Sequence, residues 1–372
     1  MKKLIYLFVI FSFFNKIEAK EITITLSAQS PKIDGILNEE VWKSSNWQGN
    51  FTQFERNVGA NASQNTEFAL FINQNFIYVG IKAYDTQANK IDRQMCRHDA
   101  MSGDLVAIGF DSYYDKRTCF VFAVNAAGVK NDYVFSNDGE SQDFSWDPIW
   151  EVSTSSDEYG WYAEMKIPIN QLRFSKGAET WGMNVIRYII RLNEQSSWSP
   201  MDFTQKGVVS QYGKISGLSV LQPKHYFELS PYLMTGFKSY QPSKDNYYQN
   251  GKEFLYNLGL DAKVAITNDI FLNFTINPDF GQVEADPSEL NLSTNETYYS
   301  EKRQFFIENR EIYDFSFSFN NENLFYSRRI GSAPHFSPNL QEGQRAWMPD
   351  NSRIIGAFKI SGKTANGFSI GI

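Results

Sequence analysis

Residues 160–168 read Gly160-Trp161-Tyr162-Ala163-Glu164-Met165-Lys166-Ile167-Pro168. Trp161, Ala163, Met165 and Ile167 take every second position, with Tyr162, Glu164 and Lys166 between them. Side chains alternate across a β-strand, so this spacing predicts a strand with one buried face. Outward from it the same period recurs. Phe68, Leu70 and Ile72 alternate with Ala69 and Phe71, and Ile77, Val79, Ile81 and Ala83 with Tyr78, Gly80 and Lys82. Phe120, Phe122 and Val124 repeat it. Turn residues punctuate the runs at Asn73-Gln74-Asn75, Ala127-Gly128, Asn137-Asp138-Gly139 and Glu158-Tyr159-Gly160. No long helical period occurs before residue 220. Short strands with regular turns predict an all-β fold, a β-sandwich.

Composition agrees. Of 372 residues, 42% are hydrophobic and 16% aromatic, with 31 Phe and 20 Tyr, enough to bury a large core. Net charge is -7, without a basic run, which argues against a nucleic-acid partner. At the N-terminus, Lys2-Lys3 precede the apolar run Leu4 to Phe14, and Ile17-Glu18-Ala19 ends in a small residue. That is the plan of a secretory signal peptide, 1–19, too short in its apolar part to span a bilayer. Export to the outer membrane or periplasm of a Gram-negative bacterium is the expectation. Cys96 and Cys119 leave a disulfide open, since geometry decides pairing.

A boundary is expected at Leu221-Gln222-Pro223, giving domains 20–222 and 223–372. Beyond it, Leu258, Leu260, Ala262 and Val264 alternate with Asn257, Gly259, Asp261 and Lys263; Ile270, Leu272, Phe274 and Ile276 alternate with Phe271, Asn273, Thr275 and Asn277. A membrane β-barrel strand has this pattern, lipid outside and a polar lumen inside. A soluble sheet with one wet face has it too. Alternation stops between Asn277 and Phe315, where Thr294 to Phe306 allows a short helix. About six strand candidates follow Phe227, fewer than the eight or so that close a bacterial barrel, and the run from Phe368 to Ile372 ends in mid-pattern. The second domain therefore reads as antiparallel strands of a truncated β-barrel, whose partner would be outer-membrane lipid.

Pro31-Lys32-Ile33-Asp34-Gly35, Glu39-Glu40-Val41-Trp42, the strand Phe76 to Ala83, the stretch Asp104 to Asp111 and residues 160–168 occur in the order found in family 9 carbohydrate-binding modules. The N-terminal domain resembles that family, which implies a β-sandwich, a glycan ligand and structural calcium. The second half resembles an uncharacterised bacterial barrel family often found behind that module. It does so at Asn277-Pro278-Asp279-Phe280-Gly281-Gln282-Val283-Glu284-Ala285-Asp286-Pro287, Glu301-Lys302-Arg303-Gln304-Phe305-Phe306 and Phe325-Tyr326-Ser327-Arg328-Arg329-Ile330-Gly331. Asn309 stands where that family usually has Gly. The sandwich departs further. Met101-Ser102-Gly103 replaces a sugar-clamping tryptophan, and Ala123 replaces a basic residue, so the usual sugar platform is missing.

Candidate chemistry is sparse. His98, His225 and His335 show no metal-ligand spacing, and no nucleophile elbow or phosphate loop occurs. Asp99, Asp104 and Asp111 crowd one strand entry and are the candidate calcium ligands, with turn capping as their alternative role. Asp279, Glu284 and Asp286 form a second acidic loop. Trp146, in the loop Asp143 to Pro148, and Trp198 are the candidate sugar platforms, with core packing as the competing role; Trp150 and Trp181 read as core. Arg328-Arg329 is expected within a strand, with one arginine facing a lumen or closing a strand-end salt bridge. The leading expectation is an exported envelope protein binding glycan in carbohydrate catabolism. The alternatives are a carbohydrate-active hydrolase, for which no carboxylate pair stands out, and a structural barrel whose sandwich no longer binds sugar.

Overall fold

The runs of alternation become strands. In chain order they are β1 (Glu21–Thr23), β2 (Thr25–Leu26), the short helix α1 (Glu40–Lys43), β3 (Thr52–Glu55), β4 (Thr66–Asn73), β5 (Phe76–Tyr84), β6 (Leu105–Asp111), β7 (Cys119–Asn125), β8 (Lys130–Ser136), β9 (Ser141–Asp143), β10 (Glu151–Ser156), β11 (Gly160–Pro168), β12 (Thr180–Ile189), β13 (Glu194–Ser197) and β14 (Gly213–Ser216). This computed structural model describes residues 19–372 except 74, 145, 175–176, 204, 222–225, 243–247, 249, 268–269, 279–300, 302, 310–311, 314–323, 333, 335, 337, 347, 350–351 and 365–367. The signal-peptide segment, the expected boundary at 222/223 and the loop carrying Asp279, Glu284 and Asp286 therefore lie outside the described residues.

Two sheets face each other. One runs β1-β14-β12-β6-β7-β8-β9, with β13 and β3 attached to β12; the other runs β10-β11-β5-β4-β2. Trp161, Ala163, Met165 and Ile167 of β11 meet Ile108, Phe110, Phe122 and Val124 of the larger sheet in the core between them. Trp150 and Trp181 are in that core, as expected. Cys96 and Cys119 are both free thiols.

Both outer faces of the sandwich are partly covered. On the smaller sheet, α1 lays Val41 and Trp42 over Ala69, Phe71 and Tyr78. Gly35 makes the turn before it with φ +84, where a Cβ would meet the Thr154 backbone at 2.8 Å. On the larger sheet, the segment after β13 folds back. Met201, Val209 and Tyr212 cover Leu105, Ala107, Val121 and Ala123. Tyr212 lies so close to Gly109 that a Cβ there would come within 3.0 Å of its hydroxyl.

The second domain has an antiparallel meander of β15 (Phe227–Ser239), β16 (Lys252–Ala265), β17 (Ile270–Ile276), β18 (Gly356–Lys363) and β19 (Ser369–Gly371). Among the described residues it is an open five-stranded sheet, not a closed barrel. Its register puts Leu229, Leu233 and Phe237 of β15 opposite Ala262, Leu258 and Phe254 of β16. Phe274 pairs with Ala262 and with Phe358 of β18. This face is the exposed one: Leu233 is 71% and Phe358 65% accessible. The opposite face carries Asn273, Thr275, Lys359 and Ser361, all buried, with Ser361 at 0%. A segment containing the helix α2 (Gln304–Ile307) fills that side. Its Glu308 accepts a hydrogen bond from Asn273 (2.8 Å) and pairs with Lys263 (2.5 Å), and Lys359 donates to the Phe305 and Glu308 carbonyls. The sheet is thus inverted, apolar outside and polar inside. Arg328 and Arg329 sit in a single 3-10 turn, Ser327–Arg329, instead of the expected strand. Asn309 adopts φ 53, the left-handed region that glycine favours and asparagine tolerates.

Candidate functional sites

The two expected sugar platforms are core residues. Trp146 packs on Phe120 and Phe122 at centroid distances of 5.1 and 5.3 Å. Trp198 meets Phe68 edge-on at 5.4 Å, directly after β13. Both are buried, so neither ring can stack on a sugar. Core packing, the competing role for both, is the one the structure shows, with the Trp146 indole closing the end of the core. Trp146→Ala is expected to cost the sandwich about 3–5 kcal/mol through the cavity it leaves, measured by urea unfolding. Unchanged stability would contradict the packing. Ala123 is equally unavailable, because Ala107 pairs with it in register and both lie in the covered outer core.

The three candidate calcium ligands do not converge. Asp104 and Asp111 bracket the ends of β6, roughly 20 Å apart at strand rise. Asp104 accepts the Ile190 N–H (2.9 Å); Asp111 accepts those of Asp115 (3.1 Å) and Lys116 (2.8 Å). Burial pushes the Asp111 carboxyl up to about 6. Both are anchors for neighbouring backbone, the capping role.

Asp99 belongs to a different group. It takes φ 60 in the loop before β6, accepts the Asp132 N–H (3.1 Å) and meets His98 Nδ1 at 2.9 Å. His98 Nε2 lies 3.4 Å from Asp132 Oδ2. Ligand atoms of His98, Asp132 and Asp147 all fall within 4.8 Å of one another. Burial, then the like charges of Asp99 and Asp147, pushes the Asp132 carboxyl up to about 8. No local spacing in the sequence marks His98 as a ligand. The partners arrive from β8 and from the loop after β9, which spacing cannot show.

A third surface lies on the open part of the smaller sheet. Tyr84 and Tyr162 stand edge to face at 6.5 Å. Tyr162 donates to Asp157 (2.9 Å) and Tyr84 to Glu67 (3.4 Å). Asp157 also holds the Tyr159 and Gly160 N–H groups, so the turn bearing Tyr159, 63% exposed, is fixed. One exposed ring and two half-buried ones beside carboxylate acceptors suit a flat polyhydroxyl ligand.

Residues 33–204 match the family described as Carbohydrate family 9 binding domain-like. The family 9-like domain is the sandwich just described. Residues 224–372 match the family described as Domain of unknown function (DUF5916). Two solved structures of a family 9 carbohydrate-binding module from Caldicellulosiruptor kristjanssonii are similar to the chain at 18% identity. The one in complex with glucose has a TM-score of 0.39 and covers 53% of this chain and 95% of its own. The one with cellotriose has 0.37, with 55% and 100% covered. A putative carbohydrate-binding protein from Bacteroides uniformis ATCC 8492 is 15% identical, with a TM-score of 0.41 and coverage of 54% and 99%. No curated protein matches the chain.

Proposed function

We propose that the chain is an exported protein of the Gram-negative outer membrane whose family 9-like sandwich binds glycan in support of carbohydrate catabolism. The observation that carries this reading is the inverted second-domain sheet. In water, exposing Leu233, Leu258 and Phe358 while burying Lys359 and Ser361 wastes the hydrophobic effect; in lipid it is the stable arrangement. From Phe227 to Phe237 the apolar face runs about 33 Å along the strand, or about 25 Å in height at barrel tilt. Phe237, Phe254 and Tyr256 gather at one end of it, where a membrane interface favours aromatic rings. Lys2-Lys3 with the apolar run after them support export.

The family match over 33–204 supports the glycan. The covered outer face of the larger sheet directs it to Tyr84, Tyr159 and Tyr162. We expect residues 20–222, expressed alone, to fold and bind oligosaccharides at about millimolar strength, read by NMR titration. Tyr159→Ala, at an exposed site, should weaken binding about fivefold, since a stacked ring contributes about 1 kcal/mol. Micromolar binding indifferent to that change would place the platform elsewhere, and no response to any sugar would remove the glycan from the reading.

One observation favours a second reading, a sandwich that serves as a docked cap. Arg173 of the sandwich lies 4.7 Å over the Phe271 ring of the second domain. A cavity of about 440 Å³ between them is lined by Trp146, Phe120, Glu308 and Ile312 among others.

A further inference from the structure

Asp132 is 0% exposed, yet among the described residues none donates a hydrogen bond of normal geometry to either carboxylate oxygen. The Trp150 indole N–H turns towards it without closing a bond of normal geometry; a buried carboxylate so poorly satisfied is expensive, and its oxygens turn towards His98 Nε2 and Asp147. We propose that His98 Nε2, Asp132 and Asp147 bind a divalent first-row transition cation with zinc-like preferences, and that Asp99 positions the imidazole.

Distances favour a cation over a simple ion pair. A charge-assisted N–H···O contact closes to about 2.7–2.9 Å. His98 Nε2 and Asp132 Oδ2 stand at 3.4 Å, the separation of two ligands about a tetrahedral zinc with bonds of about 2.0–2.1 Å. Tautomer favours it as well. Asp99 Oδ2 at 2.9 Å from Nδ1 holds the proton on that nitrogen and leaves the Nε2 lone pair facing the two carboxylates. Asp99 is itself pinned by the Asp132 N–H, so the orienting carboxylate and the ligand strand are one unit. A carboxylate on the far nitrogen is the usual outer partner of a metal-ligating histidine. The donor set then selects the metal: an imidazole beside carboxylates suits zinc and its neighbours, whereas calcium takes six to eight oxygens. Asp147 and His98 are exposed, which gives the ion an entry path, and three protein ligands leave a fourth position for water. None of this rests on the glycan reading.

The test uses the full chain in detergent, stripped by a chelator and titrated with Co2+ as a spectroscopic probe. One equivalent should bring up the intense visible bands of four-coordinate cobalt. Zn2+ should displace it and Ca2+ should not. His98→Ala, at a half-exposed site that leaves the fold intact, should abolish the bands. Asp99→Asn should keep the stoichiometry and weaken affinity about 10–100-fold. Three outcomes overturn the proposal: no bands at one equivalent, binding unchanged in His98→Ala, or displacement by Ca2+. The first would leave His98 and Asp132 as an ion pair only.

Discussion

Glu164→Ala is expected to destabilise the sandwich by about 3–6 kcal/mol. Glu164 faces outward on β11 but is fully buried by the segment that precedes α1. Its carboxylate accepts the Trp42 indole N–H (2.8 Å) and the backbone N–H groups of Asp34 and Gly35 (3.1 Å each). Removing it strands two buried donors and the part-buried Asp34 N–H, each costing about 1–3 kcal/mol. The turn at Gly35 and the helix carrying Trp42 then lose their common anchor, and the cover over Phe71 and Tyr78 loosens with them. Urea unfolding of residues 20–222 reads the loss; a change under 1 kcal/mol would contradict it. The pH dependence has a definite sign. Burial raises the Glu164 carboxyl above its ordinary range, against the opposing pull of the three donors. A raised folded-state value means that the group favours folding most below the unfolded titration near about 4.3 and less as pH rises above it. Glu164→Gln should flatten that slope.

Arg187→Met is expected to cost about 3–5 kcal/mol, with a fall in Tm of roughly 10 °C. Arg187 is fully buried on β12. Its Nη1 donates to the Asn65 carbonyl (3.0 Å) and the Thr66 hydroxyl (3.1 Å), and Nη2 lies 3.8 Å from Asp85. Burial pushes the guanidinium down to about 10, so it stays charged at neutral pH. Asp85 is buried too, and once Arg187 is gone it keeps Arg191 and the Gln87 N–H, each at 2.7 Å on Oδ1. The loss is mostly that of leaving a charge half-paired in the core. Asp85→Asn in the Arg187→Met background should therefore recover a good part of it in a double-mutant cycle. Full additivity of the two changes would contradict the coupling.

These two residues show what the sequence discloses and what it hides. The strand at 160–168 is legible from period alone, and so is the inward face that Trp161 and Met165 take. That Glu164, on the outward face, is buried is not legible, because the cover comes from residues 30–47, far away in sequence. The indoles of Trp146 and Trp198 lie outside regular alternation, where period says nothing about burial. Ala123 stands where the resembled family places a basic residue. The reason it is unavailable, a second core under Tyr212, depends on the return of the segment carrying Met201, Val209 and Tyr212. His98, Asp132 and Asp147 meet only because β8 and two loops end side by side. The second-domain alternation is fully visible in sequence, but which face meets water is decided by the segment around Glu308, whose partners Lys263 and Asn273 make the polar side the interior.

That inversion is where the account is most exposed. Spin labels placed one at a time from 254 to 264 along β16, in the protein in bilayers, report oxygen and aqueous-nickel accessibility. Oxygen accessibility is expected to peak at 254, 256, 258, 260, 262 and 264 and to fall at each position between. Nickel accessibility peaking at that same set, or no alternation at all, would contradict a sheet that faces lipid.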